Sequence, residues 1–181
     1  MFNRIFAISL FFFGVLFSCV NDLDDIKKVT YDPDSPDDVT ENLNLTETDA
    51  GFAKFQLIAK LAETYSKPET ITKFREGIRV NFFSDEGVIV SSLSAQYGEL
   101  NISKGSFYVK DSVQLINYAK NQRMETEELT LVQKDSSVFT NKAVIVYNSQ
   151  GVLFGEGIRT KEDFSTYVFL KPTGKIDFDK K

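Results

Sequence analysis

Between Val39 and Ile176 the chain alternates apolar and polar residues rather than repeating every three or four. In residues 52–61 the set Ala53, Phe55, Leu57, Ala59 and Leu61 shares one parity, and Lys54, Gln56 and Lys60 take the other, with Phe52 and Ile58 as exceptions. Period two places such a set on one face of a half-buried strand. The next strand opens after Gly77, with Ile78, Val80 and Phe82 on one face and Arg79, Asn81 and Phe83 opposite. Ile89, Ser91, Leu93, Ala95 and Tyr97 follow, then Phe107, Val109, Val113 and Leu115, then Leu129, Leu131, Val144 and Val146. Asp49-Ala50-Gly51, Asp85-Glu86-Gly87, Ser103-Lys104-Gly105 and Asn148-Ser149-Gln150-Gly151 separate the runs. Each has a glycine to supply the positive φ of a tight hairpin. Repeated strand–turn–strand units predict an all-β meander, sandwich or jellyroll. The parity changes once, between Met124 and Thr126 on one side and Leu129 and Leu131 on the other, which predicts a bulge.

The first residues have a different texture. Arg4 precedes an apolar run from Ile5 to Phe17, and Ser18 and Cys19 follow. A charged start, a short apolar run and a small residue form the pattern of a secretory signal. The run is shorter than the ~20 residues a transmembrane helix needs. Leu16-Phe17-Ser18-Cys19 resembles a bacterial lipobox, which implies that residues 1–18 are removed and that Cys19 carries lipid. Cys19 is the sole cysteine of the chain, so it has no disulfide partner within it. A single acyl chain binds membranes only marginally, whereas several together hold a protein there. The other reading is a free cysteine near an ordinary cleavage site.

Residues 19–38 are acidic, poor in apolar residues and contain prolines, the composition of a flexible tether. Asp32 and Asp34 alternate as calcium-loop ligands would, but Pro36 takes the next ligand position and the loop glycine is missing, so a solvated spacer is expected. Asn44-Leu45-Thr46 and Asn101-Ile102-Ser103 match the glycosylation sequon and are read as chance matches beside a bacterial lipobox. The domain is expected over residues 39–178, with a tail at 179–181.

Composition narrows the chemistry. The chain has 181 residues, a net charge of −5 and no basic cluster, which argues against a nucleic-acid partner. It has no histidine, which excludes a Ser-His-Asp triad, a Cys-His pair and a His-ligated metal. Carboxylates, lysines and tyrosines remain, and nothing in their pattern marks a paired-carboxylate cleft. The expectation is a protein that is not an enzyme and uses no cofactor.

Four stretches are similar to the LptC family of lipopolysaccharide transport, and closest to lipoprotein-type members from the Bacteroidetes. They are TETDAGFAKFQLIAKLAETY, FREGIRVNFFSDEGVIVSSLSAQYGEL, METEELTLVQKDSSVFT and GEGIRTKEDFSTYVFLKPTGKI, in family order from Thr46 to Ile176. Many members are held by a transmembrane helix, where this chain offers a lipobox. The resemblance implies a twisted, V-shaped antiparallel β-jellyroll whose interior takes acyl chains. It implies lipopolysaccharide as ligand, lined by Phe82, Leu93, Ala95, Val109, Val113, Leu115, Leu131, Val144 and Val146. The same residues could equally fill an ordinary core. It also implies two docking edges. Leu43, Leu45 and Thr46 would face the inner-membrane permease of the ABC transporter, and Tyr167, Phe169 and Leu170 would face an LptA-like bridge protein. The expected place is the periplasm, with a lipid anchor in the inner membrane. The competing expectation is a lipoprotein, periplasmic or at the cell surface, that binds a glycan or a protein.

Overall fold

The structure is a computed structural model that describes residues 34–174. The signal, Cys19, most of the tether and the tail lie outside the described residues. Contacts divide the chain between Ser35 and Pro36, and every strand belongs to the second unit. The strands are β1 (Asp38–Asp49), β2 (Phe52–Tyr65), β3 (Ile71–Phe74), β4 (Ile78–Phe83), β5 (Ile89–Ala95), β6 (Tyr97–Asn101), β7 (Ser106–Asn117), β8 (Gln122–Val132), β9 (Ser137–Asn148), β10 (Gly151–Lys161) and β11 (Tyr167–Pro172). The four turns expected from glycine all lie between consecutive strands, with φ of 88° at Gly51, 77° at Gly87, 59° at Gly105 and 135° at Gly151.

All pairings are antiparallel and join one sheet. β2 carries β1 along one edge, and along the other it carries first β4 and then β3. β7 carries β8 on one edge, with β6 and then β5 on the other. The sheet therefore splits between β2 and β7 into two short bridges, β4–β5 and β3–β6.

A line of irregular residues crosses the sheet at this split. φ is positive at Asn42 (53°), Gly77 (90°), Asp111 (66°), Ser112 (56°) and Gly157 (75°). Pairing registers shift between Lys110 and Val113, between Thr126 and Thr130, and between Glu156 and Ile158. The Gly77 amide donates to the Gln96 carbonyl (2.9 Å), and the Gln96 amide donates to the Asp111 carbonyl (2.9 Å). A bulge adds a residue to one strand, bends it and lets a sheet turn a corner. Here the corners align, and the sheet folds along the line into two leaves that face each other. The result is an antiparallel β-jellyroll open like a V.

The line also resets which parity points inward. In β2 Leu57 and Ala59 are buried, and past the line the buried residue is Ala62 rather than Leu61, which strict alternation had placed with Ala59. Gly98 likewise takes the inward place next to Ala95 that alternation gave to Tyr97. Ile89 is exposed instead of sharing the buried face of Ser91, because the register shifts between Phe82 and Phe83 on the neighbouring strand. The bulge expected near Glu125–Leu129 is present in the β8–β9 pairing.

Each leaf is built of rungs. On the β4 leaf, Leu45, Leu57, Val80, Leu93, Leu115, Met124, Val146 and Leu153 stand side by side. On the β6 leaf, Leu100, Phe107, Leu131 and Val138 do the same and are flanked by Thr72, Thr160 and Tyr167. The two inner faces make one core. Each fully buried large apolar side chain there contributes about 1.5–3 kcal/mol.

Candidate functional site

Part of the gap between the leaves is sealed. There the loop after β10 reaches across. Ser91 Oγ donates to the Glu162 carbonyl (3.3 Å), and Asn117 Nδ2 donates to the Asp163 carbonyl (2.7 Å). Lys120 Nζ donates to the Ser165 carbonyl. Phe164, at φ 49°, is fully buried beneath this loop and stacks on Tyr167 with ring centroids 5.4 Å apart. A large apolar plug and a row of hydrogen bonds thus close this part.

Beside β2 and β4 the leaves stay apart and enclose a cleft of ≈ 410 Å³. Phe55, Leu57, Val80 and Phe82 form one wall, and Leu100, Phe107 and Leu131 form the other. Phe55 and Phe82 are direct cross-strand partners, as are Leu100 with Phe107 and Phe107 with Leu131. Period two delivers these walls, since each residue is an inward position of its strand. Polar side chains gather at the mouth: Glu47, Lys54, Gln133, Ser136 and Glu162. Lys54 Nζ bonds Asp85 Oδ1 (2.9 Å), which raises the lysine pKa and lowers that of Asp85. Burial pushes the Glu162 carboxyl up, with help from Asp163 and against a hydrogen bond from Ser136. The walls can bury hydrocarbon, at about 25 cal/mol per Å² removed from water. The mouth offers polar contact to a head group and carries a net negative set of side chains.

Of the residues expected to line a groove, Phe82 and Leu131 stand in the cleft wall. Leu93, Ala95, Val109, Val113, Leu115, Val144 and Val146 are buried in the core. Phe55, Leu57, Val80, Leu100 and Phe107 were not singled out as lining, although their pairing with Phe82 and Leu131 carries the signal. Leu43, Leu45 and Thr46 lie on β1, and Tyr167, Phe169 and Leu170 on β11, the strands that end the sheet among the described residues. Leu45 is 46% exposed although it pairs with Leu57 of the cleft wall. Tyr167 and Phe169 pack edge to face at 5.9 Å, and Leu170 is exposed.

The sequon asparagines have structural places. Asn101 Nδ2 donates to Glu69 (2.8 Å), and its Oδ1 accepts from the Lys104 amide (2.9 Å), so it pins the β6–β7 turn. Asn44 Oδ1 accepts from Gln56 Nε2 (2.9 Å) between β1 and β2. Among the described residues no cluster of acidic side chains could hold a metal ion.

A family model described as "Lipopolysaccharide-assembly, LptC-related" matches residues 6–171. No curated protein matches the chain.

Proposed function

The chain belongs to the LptC-related lipopolysaccharide-assembly family, a family of periplasmic components of lipopolysaccharide transport and not of enzymes, and from that premise we propose what this member does. It is held at the inner membrane by lipid on Cys19, accepts lipopolysaccharide from the ABC transporter, and passes it to the periplasmic bridge protein. Acyl chains travel through the cleft between the leaves. β1, with Leu43, Leu45 and Thr46, pairs with the permease, and β11, with Tyr167, Phe169 and Leu170, pairs with the bridge.

The observation that carries this reading is the cleft itself. Apolar side chains are expected to close on each other, yet Phe82 and Leu131 face open space beside a core that is otherwise packed. A long sheet edge is an aggregation hazard unless it is used, and strand addition is the use that fits an edge as long as β1.

Photocrosslinking in cells tests the reading. A crosslinking side chain at Phe82 or Leu131 should capture lipopolysaccharide during ATP-driven transport, and one at Gln96, on the outer side, should not. Adducts at neither cleft position, with the protein folded and exported, would favour the lipoprotein that binds a glycan or protein. Cys19→Ser tests the anchor separately: the protein should lose its label from a radioactive fatty acid and leave the membrane fraction.

A further inference from the structure

Two rows of inward side chains border the gap between the leaves, and each row is open in one part and covered in the next. On the β4 leaf the row runs Phe55, Phe82, Ser91 and Asn117 across paired strands. On the β6 leaf it runs Leu100, Phe107, Leu131, Val138, Thr160 and Tyr167. Phe55 and Phe82 of the first row and Leu100, Phe107 and Leu131 of the second line the cleft, together with Glu162. Ser91 and Val138, the next in each row, do not line it; they are buried, as are Asn117 and Thr160 beyond them. Phe164 is fully buried against Tyr167, at the end of the second row.

The row on the β4 leaf changes chemistry where the cover begins. Phe55 and Phe82 suit hydrocarbon, whereas Ser91 and Asn117 donate to the carbonyls of Glu162 and Asp163. Lys120 donates to the carbonyl of Ser165. Residues 162–166 are therefore a strap. It leaves β10 on one leaf and is tied by side chains to the other, across the mouth. Such ties exchange for water at small net cost. The strap also holds strain, because Phe164 has φ 49°, in the left-handed region that a bulky side chain seldom adopts. Strain of this kind persists only where the surroundings impose it, and it gathers at parts that switch.

We infer that the strap is a gate on the lipid track and that Phe164 is its plug. The inference rests on the proposed function, in which lipid enters beside β1 and leaves beside β11. A lipid with its tails between the leaves and its head in water straddles the mouth. It cannot pass a strap attached to both leaves, and its tails cannot enter the space that Phe164 fills. Lipid therefore stops at Glu162 until the three ties break and Phe164 withdraws. Only then does it reach Phe169, which packs on the core from β11. The movement is local to the strap.

A covalent lock tests the gate. Lys120→Cys and Ser165→Cys, joined in cells by a short bis-maleimide, fix the strap to the β4 leaf. Cys19, acylated in the proposed anchor, does not compete. Each single-cysteine variant, treated alike, is the unlocked control. Crosslinking side chains at Phe82 and at Phe169, in separate strains, report lipid before and beyond the strap. Unlocked protein should capture lipopolysaccharide at both positions during ATP-driven transport. Locked protein should still capture it at Phe82, but capture at Phe169 and arrival of lipid on the bridge protein should be lost.

Equal capture at Phe169 with and without the lock, or none there in the unlocked protein, would overturn the gate and leave the acyl-chain cleft standing. No capture at Phe82 in any form would overturn the acyl-chain reading itself.

Discussion

Leu115 and Leu131 carry the same side chain, and their truncation should cost very different amounts. Leu115 is 1% exposed and stands between Leu93 and Met124, both buried. Leu115→Ala removes three carbons from a sealed place. The transfer loss is about 2.4 kcal/mol at ~0.8 per methylene. The cavity left behind adds ~1–2, for a total of about 3.5–4.5 kcal/mol. Leu131 is half-buried, and its side chain faces a cleft that is already open. Leu131→Ala enlarges that space without creating a sealed void, so only part of the transfer loss applies, about 1–1.5 kcal/mol. The assay is urea unfolding of delipidated protein. It is followed by far-UV circular dichroism, since the chain has no tryptophan for fluorescence. The two variants should share the wild-type slope and differ in midpoint, with Leu115→Ala much the lower. Equal losses at unchanged slope would mean that Leu131 is packed in solution, and the argument for a standing cleft would fail.

Three further outcomes follow from local geometry. Gly157→Ala should destabilise by about 1–3 kcal/mol, because φ is 75° and the new Cβ would lie 2.9 Å from Leu170 Cδ1; hydrogen exchange should show β11 opening first. Ser112→Gly should raise the urea midpoint by the equivalent of roughly 1 kcal/mol, since Ser112 holds φ 56° within the β7 bulge and glycine meets no Cβ penalty there. A loss of stability would mean that the bulge is held by the serine itself. Glu162 holds its proton more tightly in the folded protein than in the unfolded chain, because burial disfavours its charge. Stability from this group is therefore lost as pH rises from its ordinary value of 4.5 through the raised one. Glu162→Gln should raise the thermal midpoint at pH 7, and the gain should disappear by about pH 4. A gain that persists at low pH would point to packing rather than charge.

The extent of what was legible in the sequence follows from what alternation can report. Strands with Ile78, Val80 and Phe82, or with Phe107, Val109, Val113 and Leu115, could be read directly, because each inward side chain lies two residues from the next. The turns at Gly51, Gly87, Gly105 and Gly151 were equally plain, since each needs a backbone angle that glycine adopts freely. The parity change near Thr126 was visible because apolar residues flank it on both sides. The other corners were not. Asn42, Asp111 and Ser112 are polar residues of the kind found on any outer face, and the even spacing of Val109 and Val113 hides a two-residue bulge. Gly155 and Gly157 were visible as part of a family-like stretch. Their reason is three-dimensional: a Cβ at Gly155 would run into the Phe169 ring, and Gly157 sits on the corner line.

By itself, then, the sequence determined that this is an antiparallel β-protein, where its hairpins turn, and which family it is similar to. Those properties depend on neighbours two to five residues away. Only the tertiary structure decided that the sheet folds along one line, that Phe164 seals one side, and that Phe82 and Leu131 face a cleft while Leu93 and Leu115 do not. An apolar residue carries the same letter whether its opposite leaf touches it or stands apart. That difference arises from the angle between leaves, which bulges in separate strands set together and no single stretch encodes.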